Sequence, residues 1–170
     1  MEKEQSRFII QRFDNYITGA NTKGNFLLAF NTLFCGVIIA NYKTIITFIQ
    51  NPNDYYLVNI CLCVLIVACI IATIFIIKAV YPFLKSGNSS KDKYHSHIFF
   101  NSVAEFKNET DFYDSYSKLT DENVEEDLSK QAYQLAKGLK KKYCFIKWAM
   151  IFVYVELTVL IALITILIFY

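Results

Sequence analysis

The chain has 170 residues, 55% of them hydrophobic and 19% charged, and a formal net charge of +2 at pH 7. Overall apolarity only slightly above the roughly 45–50% of soluble domains decides little, and so small a net charge gives no reason to expect a nucleic-acid partner. Clustering decides instead. Three apolar stretches, Phe26–Ile49, Tyr55–Leu84 and Tyr143–Tyr170, are each longer than the ~20 residues that a helix needs to cross a bilayer. The expected fold class is therefore all-α: an integral membrane protein with three transmembrane helices and a cytoplasmic helical insert.

Residues 1–25 come first and are polar. They carry Glu2, Lys3, Glu4, Arg7, Arg12 and Asp14, the wrong pattern for a cleaved signal peptide, so the first span is expected to act as an uncleaved insertion signal. Within them, Phe8, Ile9, Arg12, Phe13, Tyr16 and Ile17 recur at helical spacing. A short amphipathic helix, Ser6–Gly19, is expected at the cytoplasmic surface, interrupted by Gly19, Asn21 and Gly24 before the first span.

Residues 26–84 read as a transmembrane hairpin turning at Asn51-Pro-Asn-Asp54, a cluster of helix breakers. Pro82 is expected to end or kink the second span, and Ser86–Ser90 to form a flexible break. Residues 85–142 form the insert. Tyr94–Phe106 is expected to be helical, with Ile98, Phe99, Val103 and Phe106 on one side, and Phe112–Leu119 to form another short helix. Thr120 has the character of an N-cap, followed by Asp121 and Glu122, where carboxylates suit the helix dipole. The helix that starts there carries Val124, Leu128, Gln131, Leu135, Leu139 and Lys142 as a stripe and is expected to continue into the third span, 143–170. As one helix, Asp121–Tyr170 would extend roughly 75 Å.

Lys3, Arg7, Arg12 and Lys23 precede the first span, Lys85, Lys91 and Lys93 follow the second, and Lys137, Lys140, Lys141, Lys142 and Lys147 crowd the start of the third. The positive-inside rule then places the N-terminus and the insert in the cytoplasm of a multi-pass protein. Cys35, Cys61, Cys63, Cys69 and Cys144 all lie within or at the edge of spans, where thiols behave as small hydrophobes. Cys61 and Cys63, two apart on a helix, point to different faces. No disulfide framework is expected.

Catalytic chemistry finds no support: there is no phosphate loop, no nucleophile elbow and no HExxH. No enzyme activity, cofactor or metal is expected. His95-x-His97 lacks the further ligands that a metal requires. Asn88-Ser-Ser and Asn108-Glu-Thr match the glycosylation pattern but lie on the cytoplasmic side of this topology. Glu156 stands apart. A carboxylate halfway along a span is expensive and usually faces a bundle interior or water. Asn31 and Thr32 of the first span are its expected partners at that depth, with Asn59 nearer the outer side. Two readings stay open: a group lining an ion path or an oligomeric pore, and a protonated carboxyl that fixes helix packing.

The acidic run Asp121–Asp127 and the basic run Lys137–Lys142 on one helix are accounted for by solvation and the helix dipole, or the lysines address anionic headgroups.

Three blocks resemble a known family. Arg12-Phe-Asp14-Asn-Tyr16-Ile17, followed by Ala20, Asn21 and Lys23, is similar to the N-terminal signature of the Pycsar membrane effectors, approximately R-x-D-x-Y-I-x-x-A-D-x-K-A. His97-Ile-Phe-Phe100-Asn-Ser-Val-Ala104 resembles that family's aromatic stretch after the hairpin. Gln131 through Lys142-Tyr143 is similar to the block that opens its last span. Asn21, Gly24 and Asn101 depart from the pattern, where the family prefers Asp, Ala and Gly.

The resemblance implies an antiphage effector of the bacterial inner membrane, functionally paired with a nucleotide cyclase. It would respond to a cyclic nucleotide, cUMP or cCMP, and impair the membrane in an abortive infection. Arg12, Asp14, Lys23, Gln131 and Lys142 are the polar positions shared with the motifs. Phe99 or Phe100 would stack on a base, and Glu156 with Asn31 would serve within the membrane. The competing reading of Arg12 and Asp14 is an ion pair with Lys142 or its neighbours that locks the bundle. Expected partners are membrane lipid, the cyclic nucleotide and further copies of the chain in a homo-oligomer. The other functions considered are a constitutive small channel and a membrane scaffold.

Overall fold

The structure is a computed structural model describing residues 2–49, 52–82 and 96–169. Those residues form five helices: α1 Glu2–Thr47, α2 Pro52–Val80, α3 Phe100–Val103, α4 Glu109–Tyr116 and α5 Asp121–Phe169. No strand occurs among the described residues. α1, α2 and α5 each contain a segment long and apolar enough to cross a membrane, so the described residues are all-helical with three helices able to span a bilayer. Residues 50 and 51 of the expected turn, the 86–90 break, the Lys85, Lys91 and Lys93 cluster, Asn88 and His95 lie outside the described residues.

The largest departure from the sequence expectation is α1. It runs unbroken from Glu2 to Thr47, so Gly19, Asn21 and Gly24 do not interrupt it and no separate surface helix precedes the first span. Glycine weakens a helix by about 1 kcal/mol relative to alanine but does not stop one. Gly24 serves packing instead. It is buried, and a Cβ built on it would come within 2.5 Å of Val80 Cγ2.

The second departure is the expected helix over Tyr94–Phe106. Its described part holds only the four residues of α3, preceded by bends at 97–99. Ser96 explains this locally. Its hydroxyl oxygen accepts from the backbone N–H of Phe99 at 3.0 Å and of Ile98 at 3.2 Å, a turn that competes with helix. Asn108 caps α4, accepting from Asp111 N at 2.7 Å. Thr120 and Asn123 cap α5 reciprocally: Asn123 N donates to Thr120 Oγ1 at 3.3 Å, and Thr120 N donates to Asn123 Oδ1 at 3.1 Å. From there α5 is continuous to Phe169.

The chain packs as two units, Met1–Gly19 with Pro82–Lys141, and Ala20–Tyr81 with Lys142–Tyr170; α1 and α5 contribute to both. The first unit has an unusually polar interior. Leu128 is its one fully buried hydrophobic side chain among the described residues, against buried Ser6, Ser96, Ser102, Asp127 and Gln131. Asp127 on α5 holds the segment leading into α3: Ser96 Oγ donates to its carboxylate at 2.8 Å and His97 N at 2.9 Å. Ser6 donates to Glu125, joining α1 to α5. Around these lie ring contacts of His97 with Phe106, Phe106 with Phe112, and Phe112 with Tyr116.

The second unit follows a seven-residue repeat. On α2, Val58, Leu62, Leu65, Cys69, Ala72, Ile76 and Ala79 are all buried, alternating steps of four and three. On α5 every seventh residue is buried: Lys142, Ala149, Glu156 and Leu163. On α1, Gly24, Asn31 and Ile38 do the same. A strict seven-residue spacing keeps one seam of each helix facing its partners. Ile38, Val58, Leu62, Leu65 and Leu163 form one apolar layer from all three helices. Phe75 of α2 sits against Phe145, Trp148 and Phe152 of α5, with ring centroids 5.8–6.4 Å apart. In lipid, helix association rests on such packing and on interhelical hydrogen bonds rather than on a hydrophobic driving force.

Candidate functional site

Two turns along each helix from the apolar layer, the seam becomes polar. A seven-residue step from Ile38 reaches Asn31, from Leu62 reaches Cys69, and from Leu163 reaches Glu156. Asn31 is 0% exposed and Glu156 1%. Asn31 Nδ2 donates to the carbonyl oxygen of Cys69 at 2.9 Å and to Thr73 Oγ1 at 2.8 Å. The Cys69 thiol lies beside the Glu156 carboxyl group and beside the Cys35 thiol. One layer thus draws on α1, α2 and α5. Its oxygens are poorly satisfied: Asn31 Oδ1 is buried without a hydrogen-bond partner, and the buried Glu156 carboxyl has only the weak donor of the Cys69 thiol beside it. Thr32, the other expected partner, is exposed and turns back on its own helix, donating to Leu28 O at 2.8 Å. Asn59 instead accepts from the hydroxyl of Tyr42, a second α1–α2 tie.

Two further seven-residue steps along α5 from Glu156, Lys142 closes the other end of the seam. The residue is 5% exposed, and its ammonium donates to Asn21 Oδ1 at 2.9 Å and to the carbonyl oxygens of Ala79, Val80 and Tyr81 at 2.7, 3.3 and 3.0 Å. Those carbonyls are among the orphan acceptors that end α2, and a cation is the natural cap for them. Burial draws the Lys142 pKa below that of an ordinary lysine. All three of its N–H donors are committed to this clasp of α1, α2 and α5.

The other residues singled out in the sequence are dispersed. Arg12 Nε donates to Tyr16 Oη at 2.9 Å, with the guanidinium 5.6 Å from the ring centre. Asp14 and Lys23 are exposed. Phe99 and Phe100 touch, with centroids 4.9 Å apart and Phe100 exposed. Gln131 is buried and its Nε2 has no partner; Ser102 Oγ and Glu125 Oε2 share that condition in the same packing unit. His97 Nε2 pairs with Ser115 Oγ at 2.7 Å. No cluster of three or more His, Cys, Asp and Glu side chains is placed to hold a metal among the described residues.

The family model described as "PycTM: Pycsar effector protein domain" matches residues 5–169. The chain belongs to the Pycsar effector family. That match takes in all three spanning helices and everything between them, and it supports an antiphage effector role at a membrane. No curated protein and no solved structure matches the chain.

Cys69, Thr73 and Asn21 are the contributors that residue-by-residue reading passes over. The signal that finds Cys69 is the seven-residue repeat on α2, which places it on the buried seam in register with the only carboxylate of the third span; Thr73 and Asn21 lie off these repeats and show only in the hydrogen bonds they make.

Proposed function

We propose that this Pycsar effector senses a cyclic nucleotide, of the cUMP or cCMP class, and responds by impairing the inner membrane, so that an infected cell ceases to support the phage. The N-terminus and the 85–142 segment lie in the cytoplasm in this reading, and a nucleotide cyclase supplies the ligand. The observation that carries the sensing half is the interior of the first packing unit, where Gln131 Nε2, Ser102 Oγ and Glu125 Oε2 are buried without partners. Buried polar groups without partners are costly unless something else completes them. A donor from Gln131 suits a phosphate or base oxygen, and Phe99, Phe100, Phe112 and Tyr116 offer ring faces for stacking. Arg12, Asp14 and Lys23 are exposed and reach solvent. Lys142 takes part through the clasp, since its donors are already used.

Impairment of the membrane follows from the second unit. Its seam carries a polar layer where lipid-embedded helices ordinarily carry apolar side chains, so rearrangement or homo-oligomerisation exposes polar surface to the bilayer. The test is membrane potential in cells. Expression of the chain alone should leave it intact, and co-expression with a uridylate or cytidylate cyclase should collapse it. An intact potential with the cyclic nucleotide demonstrably present contradicts the proposal. Serving as a constitutive channel would instead depolarise cells without any cyclase.

A further inference from the structure

The end of the second unit that Lys142 closes carries more positive charge than its packing uses. Lys142 itself is spent on the clasp, and the clasp fixes which parts of the three helices share its level: Asn21 of α1 and Ala79 to Tyr81 of α2. Each helix bears a second lysine close to that level. Lys23 lies two residues beyond Asn21 and beside Gly24, which packs against Val80. Lys78 precedes Ala79 in the last turn of α2. Lys147 follows Lys142 by five residues on α5. At 1.5 Å per residue, all three start within about 8 Å of the clasp along their own helices. All three are exposed.

No acidic side chain of this unit answers them. Its acids are Asp54 and Glu156. Asp54 is in the first turn of α2, at the opposite end from Lys78. Glu156 is buried fourteen residues past Lys142, about 21 Å along α5. Aromatic side chains accompany the lysines instead: Tyr81, Tyr143 and Trp148 are exposed at the same end. Lysine with tyrosine and tryptophan at the ends of spanning helices is the composition of a membrane–water boundary. There a lysine lays its stem along apolar surface and lifts its ammonium to the headgroups. Three such charges, one on each helix, suit several separate phosphates at one depth, which is what a leaflet of anionic lipid presents.

We propose that Lys23, Lys78 and Lys147 form a basic belt at the Lys142 end of the spanning unit and bind the phosphate headgroups of anionic phospholipids in preference to zwitterionic ones. Phosphatidylcholine carries its own cation beside its phosphate and offers the belt no net charge, whereas phosphatidylglycerol does. The inference is independent of the nucleotide reading, because it concerns only the spanning unit and the bilayer.

Trp148 is the one tryptophan of the chain and neighbours Lys147, so its fluorescence reports on the lipid at the belt. The full chain is reconstituted in mixed phosphatidylcholine and phosphatidylglycerol vesicles of fixed composition, with one lipid or the other brominated near its headgroup, and the quenching of Trp148 is compared. Brominated phosphatidylglycerol should quench as though enriched roughly fivefold over the bulk bilayer, the usual attraction of one basic side chain to an anionic surface. The enrichment should shrink as sodium chloride is added. Equal quenching by the two lipids overturns the proposal. So does a preference that vanishes when inorganic phosphate replaces chloride at constant ionic strength, because a free anion then occupies the belt. Lys23→Gln, Lys78→Gln and Lys147→Gln together should remove most of the preference. Lys43→Gln, exposed near the other end of α1, should keep it. A triple variant that retains the preference, or a Lys43→Gln variant that loses it, overturns the assignment to these lysines. If the triple variant does not reconstitute, the comparison of the two brominated lipids on the wild-type protein decides alone.

Discussion

Lys142 of α5 donates to the carbonyl oxygen of Ala79 at 2.7 Å, so a charged side chain of the third spanning helix caps the end of the second. The same ammonium reaches Asn21 of α1. All three long helices therefore meet at one cation. Lys142→Met keeps much of the volume and removes the charge. It should destabilise the protein by about 2 kcal/mol, the usual value of hydrogen bonds to a charged group, read as a lower melting temperature in detergent. Asn21→Ala should show part of that loss, and none in a Lys142→Met background.

The clasp also has a pH signature. Burial places the Lys142 pKa in the folded protein below that of an ordinary lysine. Between those two values the unfolded chain binds more protons than the folded one, so this group's contribution to stability rises with pH. The stability difference between wild type and Lys142→Met should widen as pH climbs towards the ordinary lysine range. A constant difference across that window contradicts the burial of the charge.

Gly24 is required by the close approach of Val80. A Cβ at position 24 would come within 2.5 Å of Val80 Cγ2, and a β-branched valine in a helix has little rotamer freedom with which to yield. Gly24→Ala should cost about 1–3 kcal/mol through overpacking. Gly24→Ala combined with Val80→Ala should be less destabilised than the sum of the two single changes, as contacting sites require. Additivity in that cycle rules out the contact.

Asp127 organises the return of the chain into the first packing unit. Its carboxylate accepts from Ser96 Oγ and His97 N, while Ser96 Oγ in turn accepts from the backbone of Ile98 and Phe99. Asp127→Ala strips partners from buried donors and should cost about 2–3 kcal/mol. Hydrogen exchange is the direct readout: the amides of His97 and Phe99 should lose protection before those of α5 around Leu128.

Much of this architecture is legible in the sequence, for identifiable reasons. Three apolar stretches, the Thr120 cap and a helix running on into the third span all follow from local rules, and all appear. Glu156 stands out because a carboxylate in a span is rare whatever its neighbours. The misreadings have one cause: the answer depended on another helix. Gly24 reads locally as a breaker, yet the proximity of Val80 makes it a packing residue inside a continuous α1. Cys69 reads as a small hydrophobe, yet its carbonyl and thiol both face the polar layer. Lys142 reads as a spare cation for a ligand, yet the end of α2 consumes its donors. Ser96 lies in a stretch of helical pattern, but hydrogen bonding of its hydroxyl to the following amides breaks the helix down to the four residues of α3.

Ligand recognition is the central claim, and it is tested most directly by thermal unfolding of the purified full-length protein against cyclic mono- and oligonucleotides. A ligand that binds only the native state adds about 2.7 kcal/mol at a hundredfold excess over its dissociation constant. The expected result is a saturable rise in melting temperature with cUMP or cCMP, abolished by Gln131→Leu and unaffected by the uncyclised monophosphates. A well-folded sample whose unfolding no cyclic nucleotide alters would contradict the account.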